Sequence, residues 1–190
     1  MRIIGGEWRG IALAAVGKGD QGKHLRPTTD RVRESLFNVL QGGKLGDPIT
    51  DARVLDLFAG TGALGLEAVS RGAVSVTFVD DGRVAGNLIR DNIRKTCGPD
   101  RAKLIKADAT RLPQNPDGPF DLIFLDPPYG KSMGQKALVL ATQNGWISED
   151  ALIVWEENTP QVAPEGFTQL DQRKYGDTWM TFLEVAGAED

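Results

Sequence analysis

Histidine and cysteine are almost missing from this chain of 190 residues, with His24 and Cys97 as the sole representatives. Intramolecular disulfides, cysteine-rich zinc sites and two-histidine metal sites are thereby excluded, and no metal cofactor is expected. A Ser-His-Asp hydrolase would have to recruit His24, which stands among the polar residues Gln21-Gly22-Lys23-His24-Leu25 and reads better as a solvated loop residue. Long apolar runs are lacking too. Nothing approaches the roughly 20 apolar residues of a membrane helix. Met1-Arg2-Ile3-Ile4-Gly5-Gly6 has no secretory core, so the expectation is a cytoplasmic protein without membrane contact.

Positive charge is in short supply overall, at a net −4, and unevenly spread. Residues 1–33 hold seven basic groups (Arg2, Arg9, Lys18, Lys23, Arg26, Arg31, Arg33) against three acidic ones, which leaves −8 on the remainder. A basic arm on an acidic body suits a protein that grips a polyanion with its arm, although a solvated stretch with a chance excess has the same composition. The length fits one compact domain with a small appendage. The expected division is a basic hairpin and loop over 1–28 that holds the polyanion, followed by a main domain over 29–190.

Apolar residues around Gly5-Gly6, from Ile3 to Leu13, predict a short β-hairpin, and 17–24 a loop. Val32, Leu36 and Leu40, with Phe37, predict an amphipathic helix over 30–41, ended by Gly42-Gly43. From Arg53 strand and helix patterns alternate. Strands are expected at 54–58, 74–79, 103–106, 121–125 and 152–155, with helices at 63–70, 83–97 and 131–143. That alternation indicates an α/β fold with a mostly parallel sheet covered by helices on both faces. Residues 167–174 and 179–185 flank Tyr175-Gly176-Asp177-Thr178 with no helix between them, so an antiparallel hairpin closes the sheet.

Asp56-Leu57-Phe58-Ala59-Gly60-Thr61-Gly62-Ala63-Leu64-Gly65 sets a GxGxxG pattern where a buried strand enters a helix. Glycines there allow a tight turn and close ligand approach. Asp80 ends the next strand about 20 residues on, where a carboxylate can accept both ribose hydroxyls. Asp56, Phe58, Gly60, Thr61, Gly62 and Asp80 are therefore candidate contacts for an adenosine-containing ligand. Asp81 joins them, as do Asp108 and Ala109 at the same sheet edge, although Asp108 equally suits a helix N-cap. Strand-to-helix packing alone would also favour the glycines.

Asp126-Pro127-Pro128-Tyr129 follows the strand Leu122-Ile123-Phe124-Leu125 directly. Ligands of open parallel sheets gather beyond the carboxyl ends of strands, so this tetrapeptide faces the glycine loop's crevice. Two prolines stiffen the turn and remove two N–H donors while keeping their carbonyls. An exocyclic amine of a base is a poor nucleophile because its lone pair is delocalised into the ring. With the Asp126 carboxylate and the Pro127 carbonyl accepting its two hydrogens, the nitrogen can pyramidalise toward the sulfonium methyl of S-adenosylmethionine. Tyr129 would stack on the base. Asp126, Pro127, Pro128 and Tyr129 are thus the candidate catalytic residues, although a capped Pro-Pro turn needs no ligand.

The glycine loop and the tetrapeptide together resemble the class I S-adenosylmethionine-dependent, Rossmann-like methyltransferase pattern for amino nitrogens. Met1 to Gly10 and Leu25-Arg26-Pro27-Thr28-Thr29-Asp30-Arg31-Val32-Arg33-Glu34-Ser35-Leu36-Phe37-Asn38 resemble the bacterial ribosomal small-subunit methyltransferase D family, which makes N2-methylguanine in 16S rRNA. The resemblance spans residues 1 to about 184. It implies a seven-stranded sheet whose last strand runs antiparallel, and a substrate presented on an assembling 30S particle. Family members often place Glu at the second-strand end, followed by a pattern such as x-Asp-Arg, where this chain reads Asp80-Asp81-Gly82-Arg83. How Asp80 and Asp81 divide the ribose contacts stays open. In this setting Arg9, Arg26, Arg31 and Arg33 would meet rRNA phosphates, with Thr28 or Thr29 donating a hydroxyl. A monomer is expected. A DNA adenine-N6 methyltransferase would use the same tetrapeptide. A nicotinamide-dependent oxidoreductase would use the glycine loop and Asp80 but leave the tetrapeptide unexplained. A non-enzymatic rRNA-binding assembly factor would have no use for it.

Overall fold

The computed structural model describes residues 1–16 and 28–187. His24 and Arg26 lie outside the described residues. Helix α1 (Asp30–Leu40) starts where the Thr29 hydroxyl oxygen accepts the Val32 N–H, and its buried stripe is Arg33, Leu36, Phe37 and Leu40. Then β1 (Arg53–Leu57), α2 (Ala63–Ser70), β2 (Ser75–Val79), α3 (Arg83–Lys95) and β3 (Ala102–Ile105) follow in alternation. A 3₁₀ turn at Ala109–Arg111 leads to β4 (Phe120–Leu125), α4 (Met133–Gln143), β5 (Ile147–Glu157), β6 (Phe167–Tyr175) and β7 (Thr178–Val185).

The seven strands lie in the order β3-β2-β1-β4-β5-β7-β6, and only β7 runs against the rest. The expected α/β architecture and the antiparallel last strand are both present. Side chains alternate between faces along each strand. Val54, Phe78, Phe124, Val154 and Phe182 join the core beneath α1, α2 and α3, while Leu57, Ile123, Leu125, Ile153 and Trp155 join the core beneath α4. Strand order reverses between β1 and β4, so the loops leaving these two neighbours open a crevice at their carboxyl ends.

One expectation changes and one gains a partner. The predicted strand at 152–155 extends to Ile147–Glu157, because Ile147 pairs with Phe120 before a register shift that the polar Ser148-Glu149-Asp150 conceals. The predicted short amino-terminal hairpin is present, an antiparallel Arg2–Ala12 bridge flanked by backbone bonds from the Ile3, Gly10 and Leu13 amides to the Ile11, Ile3 and Met1 carbonyls. Its turn is also bound to α2. The Ile4 and Gly5 amides donate to the Glu67 carboxylate, and the Glu7 amide donates to the Ser70 carbonyl at 2.8 Å. Gly6 has φ +79, and a Cβ there would fall 1.8 Å from the Ser70 carbonyl oxygen. Ile3 and Leu13 are buried in the same core as α1 and α2, so the described part of this segment packs continuously with the rest. No helix among the described residues is long and apolar enough to cross a membrane.

Candidate active site

Beyond β1 the backbone turns sharply. Phe58 and Gly60 adopt positive φ, and Gly62, also left-handed, precedes the first turn of α2. Gly65 is demanded by packing, since a Cβ there would lie 2.6 Å from Val76 and 2.7 Å from Phe78. Its amide donates to Asp56 Oδ2 at 3.0 Å. Asp80, at the end of β2, accepts the Gly60 amide at 2.9 Å and the Gly82 amide at 2.8 Å, tying the glycine loop to the next strand. Burial raises its pKa above the ordinary carboxylate range. Phe58, Gly60 and Asp80 are partly accessible and Asp81 is exposed, in keeping with a ligand-facing edge.

Other candidate cofactor contacts are turned inward. Asp56 is 1% exposed and holds the start of α2, so it shapes the loop instead of meeting a ligand directly. Thr61 is buried too, its hydroxyl 3.6 Å from the Met1 sulfur, and Gly62 is buried against Phe78. Asp108 caps the 3₁₀ turn, accepting the Thr110 amide and hydroxyl at 2.8 and 2.7 Å, and those bonds lower its pKa. Ala109 is buried.

The Asp126 amide donates to the Leu57 carbonyl at 3.4 Å, carrying the β1–β4 pairing to the tetrapeptide. Asp126 therefore sits next to the glycine loop. Leu125 pairs with Trp155, and strand alternation then puts Asp126 on the same side of the sheet as Glu156. Glu156 accepts the Thr28 hydroxyl at 2.8 Å on one oxygen and the Tyr129 hydroxyl at 3.3 Å on the other. Burial, then the Glu156, Asp56 and Glu157 carboxylates, push the half-buried Asp126 well above its ordinary pKa. Tyr129 is pushed up to about 12 by burial and by Glu156. Among the described residues, no group of three or more His, Cys, Asp and Glu side chains could hold a metal ion.

Alongside Glu156 and Tyr129 opens a cavity of about 390 Å³, with Thr28, Val32, Lys174 and Trp179 among its walls. Sequence reasoning missed Glu156, Lys174 and Trp179. Two carboxylates ending the apolar run Leu152 to Trp155 were the available signal for Glu156. The expected RNA contacts divide. Arg9 and Arg31 are exposed, and Thr29 is exposed at the start of α1. Arg33 is a correction. It is fully buried, pairs with Asp30 at 3.0 Å and Glu67 at 3.6 Å, and donates to the Arg2 and Thr28 carbonyls, so it has no reach to a phosphate. Thr28 is likewise buried, its hydroxyl committed to Glu156.

A mostly parallel sheet with one antiparallel strand, a glycine loop after its first strand and Asp-Pro-Pro-Tyr after its fourth define a class I methyltransferase. The chain belongs to the family described as conserved hypothetical protein 95, whose model matches residues 1–184. It is 37% identical to the ribosomal RNA small subunit methyltransferase D of Haemophilus influenzae, over 93% of this chain and 89% of that one. Its counterpart of the same name in Escherichia coli strain K12 is 38% identical over 86% and 78%. A solved Escherichia coli structure described as a candidate methyltransferase superposes with TM-score 0.80 at 34% identity, covering 97% of both chains.

Proposed function

We propose that this protein transfers a methyl group from S-adenosylmethionine to the exocyclic N2 of a guanine in 16S rRNA, acting as a cytoplasmic monomer on an assembling or assembled 30S particle. The observation that carries this reading is the juxtaposition of Asp126 and Pro127 with the glycine loop, beside a cavity walled by Tyr129 and Glu156. The donor set fits the cofactor. Gly60 and Asp80 offer an accessible edge for an adenosine, and the carboxylates around Asp126 favour a cation nearby. When bound, the cofactor supplies an electrophilic methyl on a positively charged sulfur. The chain's own work is placement. The Asp126 carboxylate and the Pro127 carbonyl accept the two amine hydrogens, Tyr129 stacks on the everted base, and Asp126 receives the proton released as the new N–C bond forms. Residues 1–28 serve as an RNA-contacting extension in which Arg9 and Arg26 meet phosphates, and Arg31 at the start of α1 meets another.

The test is transfer of labelled methyl to 30S particles from cells lacking the protein, with duplex DNA as the competing acceptor. Mass spectrometry of the rRNA then maps the modified nucleotide. Label on particle guanine N2 is expected. Label on DNA adenine, or no transfer to either, overturns the reading. Stabilisation against heat by S-adenosylhomocysteine but not by NAD tests the cofactor separately.

A further inference from the structure

We infer that Glu156 identifies the base as guanine by accepting its N1–H, an inference that rests on the proposed function. Guanine presents three hydrogens on one edge, two on N2 and one on N1, whereas adenine presents a bare lone pair at N1. Asp126 and the Pro127 carbonyl take up the N2 hydrogens, and a third acceptor is needed beside them. Glu156 is the neighbour that fits. It stands on the adjacent parallel strand at the level of Asp126 and on the same side of the sheet, where strands lie about 4.8 Å apart. That spacing suits two carboxylates meeting adjacent N–H groups of one base edge.

The carboxylate is fixed from two sides, by the Thr28 hydroxyl on one oxygen and the Tyr129 hydroxyl on the other. A carboxylate has about four lone-pair positions, so acceptor capacity remains on each oxygen toward the cavity that Glu156 lines. Glu156 is only 4% exposed, and a base that turned a lone pair toward it would leave two acceptors facing each other away from water. Adenine is refused on that ground, while the Tyr129 ring stacks on either base. The same tie links recognition to the start of α1, because Thr28 reaches Glu156 across 128 residues of sequence.

The test uses 30S particles assembled with 16S rRNA carrying either guanine or 2-aminopurine at the mapped nucleotide. The analogue keeps the amine at position 2 and replaces the N1–H with a lone pair. Wild type is expected to favour guanine in kcat/KM by at least ~10-fold. Glu156→Gln, whose amide can donate to the lone pair, should narrow that preference at least ~5-fold. Glu156→Asp, which withdraws the acceptor by one methylene, should slow guanine more than 2-aminopurine and so also narrow the preference. Equal use of both bases by wild type, or variants in which both rates fall in parallel, overturns the inference; the wild-type ratio decides even if Glu156→Gln does not fold. Failure of wild type to methylate the guanine particle is a different result, which refutes the rRNA reading itself.

Discussion

Burial and the neighbouring carboxylates of Glu156, Asp56 and Glu157 make Asp126 hold its proton well above the ordinary carboxylate range. In that window the folded chain binds a proton that the unfolded chain has already lost. Stability therefore falls as pH rises from the ordinary carboxylate pKa through the raised one. Asp126→Asn removes the cost, and at pH 8 its melting temperature should exceed wild type by about 2–4 °C, with the gain shrinking toward pH 5. Turnover should be lost while cofactor affinity is kept, and wild-type turnover should rise with pH as the carboxylate becomes an acceptor. Calorimetric melts at the two pH values check this, and a variant no more stable than wild type at pH 8 would show that the carboxylate is not strained. Asp80 answers to a different demand. Its two oxygens each hold a loop amide, so Asp80→Ala frees the Gly60 turn as well as removing a ligand-facing charge. The dissociation constant for S-adenosylhomocysteine, measured by titration calorimetry, should rise ~10–100-fold, as expected for lost hydrogen bonds to a charged group. An unchanged constant would release Asp80 from cofactor binding.

Helix α1 shows how far pattern reading reaches and where it stops. The spacing of Leu36, Phe37 and Leu40 was enough to place the helix, but Arg33 lies on that same stripe three and four residues earlier. Counting charge put Arg33 on the surface, whereas helical periodicity already pointed it inward. Its partner Glu67 comes from α2 and is fully buried, which no local pattern discloses. The amino-terminal hairpin is present in short form, but its docking on α2 is just as hidden from local pattern: the Ile3, Gly10 and Leu13 amides bond across the hairpin, while the turn amides of Ile4, Gly5 and Glu7 are satisfied by Glu67 and Ser70 across more than 60 residues. Arg33→Ala should therefore act on stability. Leaving Glu67 short of a buried partner costs about 3–5 kcal/mol, at the lower end because Arg71 also pairs with it at 2.8 Å. The melting temperature should fall on the order of 6–12 °C. Arg31→Ala, on the exposed side, should leave the melt unchanged. A loss of particle binding by Arg33→Ala without any loss of stability would return that residue to the RNA-contacting set.

Across the whole molecule the parallel sheet and the crevice at β1 and β4 were legible, because buried strands followed by glycine or proline turns announce both. The cavity's outer wall was not. Glu156 lies at the penultimate position of β5, while Lys174 and Trp179 reach the cavity only because β7 inserts between β5 and β6, a placement that alternating hydrophobicity cannot specify. The same three-dimensional separation governs charge. A chain of net −4 can hold a polyanion only if its cations face the nucleic acid and its carboxylates do not. Asp56, Glu156 and Glu157 are buried and Asp126 is half-buried, while Arg9 and Arg31 stand exposed. Binding should therefore be governed by a few phosphate contacts and be strongly salt-dependent. Each contact contributes about 0.7–0.9 to the slope of log affinity against log salt, so Arg9→Ala combined with Arg31→Ala should flatten the slope by ~1.4–1.8. Methyl transfer at saturating particle concentration should change less than about twofold, since neither side chain touches the base. Filter binding of labelled 30S particles between low and physiological salt measures the slope. A double variant whose slope matches wild type would mean that the exposed arginines are not the groups that neutralise phosphate, and would shift that role to cations on the β6–β7 side of the cavity.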